Sequence, residues 1–299
     1  MLRPRLPLDV ERETFEWAAI AQPSSIPTLL RVAQRVRSWV EPYLYRAIKV
    51  APYPPYSLMA RDVLTPLSRS KPARFYTDAV RHLYIQDQPR ADVLRICTRT
   101  RSITSYGLAP ELMTILPQMP DLRRLSLSLR ELFDPNPPRM QPFLSRITHL
   151  DLHDIIGEDD DEDPIVRLLP LLPALTHLCL CDQVPPVRKI LVECTRLEIL
   201  VNLWLVSGAD LGRGRRLAAT PPVQDPRFVV SVYNDVNEEW GAEVRGHSVW
   251  DAADDFVARK RRGEIPDSRY WMDYWLTEEE AVGDASAEAS PDPSEGSRA

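Results

Sequence analysis

Glycine is scarce in this chain, at ten of 299 residues, while proline numbers 29. That is about half the usual share of the first and twice the usual share of the second. Few glycines leave few places where backbone can wrap a phosphate. Residues 208–216 hold three of them among arginines, but no Gly-Lys-Ser/Thr follows, and the segment reads as a mobile basic loop. Long apolar runs are missing too. The longest, residues 168–181, is interrupted by Pro170 and Pro173 and is too short to span a bilayer, and the N-terminus has no apolar leader pattern. Four cysteines, Cys97, Cys179, Cys181 and Cys194, are too few for a disulfide framework in a chain of this size and read as reduced thiols. The expectation is a soluble protein of the cytoplasm or nucleus with no membrane contact.

What the chain has is ordinary globular material, 44% hydrophobic and 27% charged, enough for a sizeable core. Its net charge of −6 hides a division: residues 1–149 carry 22 basic and 13 acidic side chains, and residues 150–299 carry 15 and 30. The arginines of the basic half are spread singly along amphipathic segments, so no nucleic-acid partner is expected. Abundant proline predicts many short elements with stiff joints.

Residues 6–50 open with Leu6 and Pro7 and pass into a helical pattern from Val10 through Phe15 to Ala21, which Asp9 can cap and Glu11 and Glu13 favour. A second helix is predicted from a cap at Ser25, with Pro27 in its first turn and Leu29, Leu30, Ala33, Val36, Trp39 and Val40 along one stripe. About 40 residues bury little alone, so this pair must lean on the rest of the chain or on a partner. The pattern resembles the F-box, by which substrate receptors dock onto the small adaptor of cullin-type ubiquitin ligases. Leu6, Pro7, Val10, Phe15, Leu29, Val32, Val36 and Trp39 stand at its apolar positions, while Ala33 replaces a frequent Cys and residues 9–12 are more charged than the usual start. The resemblance implies that residues 1–46 are an adaptor-binding module; the alternative is a helical cap on the chain's own core.

After a proline-rich connector over residues 47–79, six segments share a leucine-centred alternation: 80–85, 101–106, 122–129, 147–152, 175–180 and 197–203. Aligned on Leu83, Ile103, Leu125, Leu150, Leu178 and Leu200, they lie 20 to 28 residues apart, in or near the range of leucine-rich repeats. Helical patterns at 110–116 and 165–169 stop at prolines, and Cys97 and Cys194 fall at the turn before a strand, where such repeats place a small buried residue. Residues 228–233 read as a further strand. The acidic run 158–163 reads as a solvated loop, because Gly157 precedes the acids where a calcium loop needs a glycine among them. Four of seven tryptophans, Trp240, Trp250, Trp271 and Trp275, lie in the last fifth, beside a helix that Ser248 and Asp251 can cap and that ends in basic residues before Gly263. The expected fold class is therefore α/β: the short helical module, an irregular leucine-rich-repeat-like solenoid with a parallel sheet over 80–235, a Trp-rich helical cap over 236–276 and a disordered acidic tail over 277–299.

Residues 6–276 as a whole resemble a group of uncharacterised fungal proteins with an F-box-like start and a leucine-rich-repeat-like middle. The stretches that carry it are residues 39–45, 97–98, 122–126, 148–151, 175–178, 226–230 and 256–260. The group lends a fold, and a function only by analogy with F-box receptors.

Residues between the strand leucines point away from the core. His82, Tyr84, Arg124, Ser126, Ser128, His149, Asp151, His153, His177 and Cys179 are thus expected on one open concave surface that binds a protein partner, more tightly as pH falls through the ordinary histidine range near 6.5. In the register set by Leu150 and Leu178, His149 faces His177, Asp151 faces Cys179 and His153 faces Cys181. The residue types suit zinc or a Cys-His nucleophile. No spacing fixes four ligands, however, and nothing supplies an oxyanion site, so neither metal, cofactor nor catalysis is expected. The expected function is a non-catalytic protein-binding receptor, the substrate-recognition subunit of a cullin-type ubiquitin ligase. The alternative is a free-standing repeat protein with a vestigial F-box-like segment, and the third reading is a metal-binding protein or enzyme.

Overall fold

Each aligned apolar residue sits in a short parallel strand. The computed structural model describes residues 6–50, 71–86, 91–106, 110–133, 140–157, 162–206 and 208–274. Its strands are β1 (Ala47–Val50), β2 (His82–Ile85), β3 (Ser102–Ser105), β4 (Arg124–Leu127), β5 (His149–Leu152), β6 (His177–Cys181), β7 (Ile199–Leu205) and β8 (Phe228–Tyr233). They make one sheet in sequence order with every neighbouring pair parallel, so the protein is α/β. The register joins Leu83, Ile103, Leu125, Leu150, Leu178 and Leu200 in the alignment read from the sequence, and extends it to Ile48 and Phe228. All eight are at most 2% exposed. Strand β1 was not anticipated, since four residues without a leucine give too little alternation to read.

Helices α1 (Leu8–Ala21), α2 (Ile26–Leu29) and α3 (Gln34–Val40) precede the sheet. The strands are then linked through α4 (Ala73–Ala79), α5 (Ala91–Ile96), α6 (Pro110–Ile115), α7 (Leu129–Leu132), α8 (Pro164–Leu168), α9 (Val187–Glu193) and α10 (Gly208–Ala219). The chain finishes with α11 (Val236–Arg245) and α12 (Val249–Arg261). The connections repeat in detail. The carbonyls of Cys97, Met119, Leu144, Leu172 and Cys194 each accept the N–H of the residue three further on, and a strand begins two residues after that. Cys97 and Cys194 are both buried at this turn.

The main core lies between the sheet and these connections. A second core lies on the opposite face, where Cys179, Ile199, Val201, Leu203 and Val229 meet Val249, Trp250, Ala253, Phe256 and Val257. Helix α12 therefore lies across the sheet instead of stacking beyond its last strand. The expected capping box at its start is present, with Ser248 and Asp251 bonding each other's backbone N–H. It is the chain after α12 that covers the edge of β8. There the Val230 N–H donates to Tyr270 and the Met272 N–H to Val230, which satisfies groups that an open edge would expose.

Three local expectations are revised. The second helix of the first module is two pieces, because Ala33 is extended at φ −162° and ψ 157°. That turn lets Val36 and Val40 join Ala19 and Ile26 in a small core of their own. Residues 208–216 belong to helix α10 and are not a loop; Gly214 is there because an added Cβ would lie 2.9 Å from the Trp204 ring. Asp163, the last of the acidic run, is buried and caps α8 through the Ile165 N–H, 2.7 Å away. Residues 158–161, most of the connector and the tail from 275 onward lie outside the described residues. Among the described residues no helix is long and apolar enough to cross a membrane.

Gly214→Ala is expected to lower stability by about 1–3 kcal/mol, because Trp204 is buried and cannot yield to the new methyl. Gly212→Ala, whose nearest neighbour is the flexible end of Arg216 at 3.4 Å, is expected to raise it by up to roughly 1 kcal/mol through helix propensity. Urea denaturation midpoints of the two variants check the opposite signs.

Candidate functional site

The sheet face that carries the residues between the leucines is roofed. Helix α11 brings Trp240 against Tyr84, with ring centroids 5.4 Å apart. Helix α12 brings Trp250 edge-on to His149 and His177, whose rings stack at 4.1 Å. Each imidazole is set by the residue before it, through contacts of 2.8 Å from Thr148 and Thr176 hydroxyls to the Nδ1 atoms. Asp254 of α12 places Oδ1 3.2 Å from His177 Nε2. Between the two tryptophans remains a cavity of about 330 Å³, lined by Thr104, Tyr106, Ser126, Asp151, Cys179 and Cys181 among others.

Asp151 stands at its centre. Ser126 Oγ donates to Oδ2 at 2.7 Å, and Cys181 Sγ donates to Oδ1 at 3.4 Å. His153 Nε2 lies 3.0 Å from Ser126 Oγ and 3.6 Å from Asp151 Oδ2, with its ring stacked on Tyr106 at 4.4 Å. Burial alone would raise the Asp151 carboxyl, but the nearby His153 and the hydrogen bonds from Ser126 and Cys181 outweigh it and hold the group below its ordinary value. The thiols go the other way. The hydrogen bond to Cys181 and burial push Cys179 well above its usual value. For Cys181 the bond from Cys179 favours the thiolate, yet burial and the negative Asp151 and Asp182 prevail and push it up to about 12. Neither thiol is an activated nucleophile on its own, and Cys181 hydrogen-bonds a carboxylate, not an imidazole base.

The expected neighbours His149 with His177 and Asp151 with Cys179 are paired across β5 and β6. His153 and Cys181 are not. That ladder ends at Leu152 and Leu180, after which His153 turns to Ser126 while Cys181 pairs with Leu203. The open partner-binding surface is also corrected. Tyr84, His177 and Cys179 are buried, and Ser126, His149, Asp151 and His153 line or adjoin the roofed cavity with Arg124 at its rim. Ser128 instead caps α7 and bonds the buried Asp154 at 2.9 Å. His82 lines a neighbouring basic pocket with Arg46, Arg101, Arg123 and Arg124.

For His149 and His82 the expected titration near pH 6.5 does not survive this burial. Desolvation, then His177 and Arg124, lower His149 to about 2, and desolvation with Arg46, Arg124, Arg101 and Arg81 lowers His82 to about 4. Sequence reasoning missed Trp240, Trp250 and Asp254 as parts of the site, although the crowding of tryptophan after residue 239 was visible. Compared with known proteins, the chain matches no family model and no curated protein.

A histidine held below its unfolded value makes stability fall as pH drops, since the unfolded chain takes up a proton near 6.5 that folded His82 accepts only near 4. Within that window the loss approaches about 1.4 kcal/mol per pH unit for each such group. Urea midpoints are therefore expected to fall between pH 7 and pH 5, and the fall to be smaller in His82→Gln. An identical pH dependence in that variant would show that His82 titrates normally.

Proposed function

We propose that the chain is a non-catalytic protein-binding receptor that docks through its N-terminal helices, as an F-box protein docks on a cullin-ligase adaptor, with a leucine-rich-repeat-like sheet as the platform behind them. The observation that carries this reading is the location of exposed apolar side chains. Ten large hydrophobic residues are exposed among those described, and seven of them, Leu6, Leu8, Val10, Trp17, Ile20, Val32 and Leu44, fall in the first module. Such concentration on one small helical unit marks a contact surface. The motif positions divide accordingly. Val36 is buried and Phe15, Leu29 and Trp39 pack around it to hold the module together, which leaves Leu6, Pro7, Val10 and Val32 for docking. The covered sheet face speaks against uptake of a large partner there.

Anchor residues of a helix-mediated contact commonly cost over about 2 kcal/mol when truncated. Leu6→Ala combined with Pro7→Ala is expected to abolish copurification of the ligase adaptor with the intact chain and to leave its circular dichroism unchanged. An adaptor absent already from the wild-type pull-down would instead favour the free-standing repeat protein.

A further inference from the structure

Two neighbouring strands bring three metal-type donors to one point. Asp151 lies on β5 opposite Cys179 on β6, and Cys181 follows two residues later. Alternation along an extended strand puts both cysteines on one face, and their sulfurs are 4.0 Å apart. Cys181 Sγ is 3.4 Å from Asp151 Oδ1, and the ligand atoms of all three residues lie within 4.8 Å of one another. We propose that Cys179, Cys181 and Asp151 bind one zinc ion, with the fourth coordination position facing the cavity. This goes beyond the docking role of the first module and does not depend on it.

Two of the three edges of the cluster are those of a tetrahedron around zinc. Zinc holds thiolate sulfur at about 2.3 Å and carboxylate oxygen at about 2.0 Å, so two sulfurs stand roughly 3.8 Å apart and sulfur and oxygen roughly 3.5 Å. The observed 4.0 and 3.4 Å match two of the three edges, and the third, from Cys179 to Asp151, lies within 4.8 Å. Both cysteines are free thiols and not a disulfide.

The carboxylate is also oriented as a ligand should be. Oδ1 faces the sulfur, while Oδ2 accepts from Ser126 Oγ and lies beside His153, which Tyr106 holds by stacking. Two soft sulfurs select zinc over magnesium or calcium. The cavity of about 330 Å³ leaves room for water or a small donor ligand at the open position. The sequence expectation of no metal rested on the lack of a spacing that fixes four ligands, whereas the pairing of β5 with β6 brings three together.

The test uses the full chain purified without chelator. Elemental analysis is expected to find one zinc per chain, and cobalt(II) added to chelator-stripped protein to give thiolate charge-transfer and tetrahedral ligand-field bands. Zinc should be lost in Cys179→Ser with Cys181→Ser. Asp151→Asn keeps the size and the Ser126 contact and should weaken cobalt binding by about tenfold or more. Wild-type protein that takes up neither metal, or zinc retained at full stoichiometry in the double cysteine variant, would overturn the site. The cobalt spectrum of the unmutated chain decides the matter even if a variant fails to fold.

Discussion

A row of buried side chains, one aligned from each strand, runs the length of the sheet. Ile48, Leu83, Ile103, Leu125, Leu150, Leu178, Leu200 and Phe228 form a continuous row beneath it, each closed off from water. Several of these strands have only four residues, and backbone hydrogen bonds worth about 1 kcal/mol net apiece cannot hold strands so short. Burying a leucine or phenylalanine contributes roughly 1.5–3 kcal/mol, so each residue of the row adds more than any single bond of the ladder it runs beside. Because each strand touches only its sequence neighbours, a break in the row is felt locally, and the two ends are where protection is needed. The segment around Tyr270 to Met272 covers the β8 end, and helices α1 to α3 lead into β1 at the other.

The opposite face obeys a different constraint. On β4 and β5 buried and partly exposed residues alternate, whereas β7 and β8 are buried almost throughout. Strands covered on both faces read as continuous apolar runs, and residues 199–205 and 228–233 are such runs with single polar interruptions. Asn202, one of these, is wholly buried and donates to the Leu180 and Gln183 carbonyls. The polar atom is kept because it ties the end of β6 to β7.

This shows what was legible. Strand positions and register followed from leucine alignment, because a period of two and a repeat length are local properties of a sequence. The roof was not read, although its trace was present: the change from alternation to continuous apolarity in the last two strands meant that something covered them. Helix α10 was misread because its glycines look like flexibility. Only the packing of Trp204 shows that Gly214 is a contact requirement. The histidines were misassigned for a related reason. Thr-His-Leu at 148–150 and 176–178 predicts the stacked pair, but the partner of that pair is the chain's own Trp250 and Asp254.

The same comparison of faces bears on why Asp151, Cys179 and Cys181 are polar at all. Next to them, β7 and β8 meet α12 through valine, leucine and isoleucine, so this chain has an apolar way to seat a helix on the sheet. The Asp151 carboxylate gives up hydration here, and its contacts with His153, Ser126 and Cys181 outweigh that loss, since the group is held below its ordinary value. The polar cluster lines the same cavity as the two tryptophans, so the proposed zinc ion has room there for a fourth ligand.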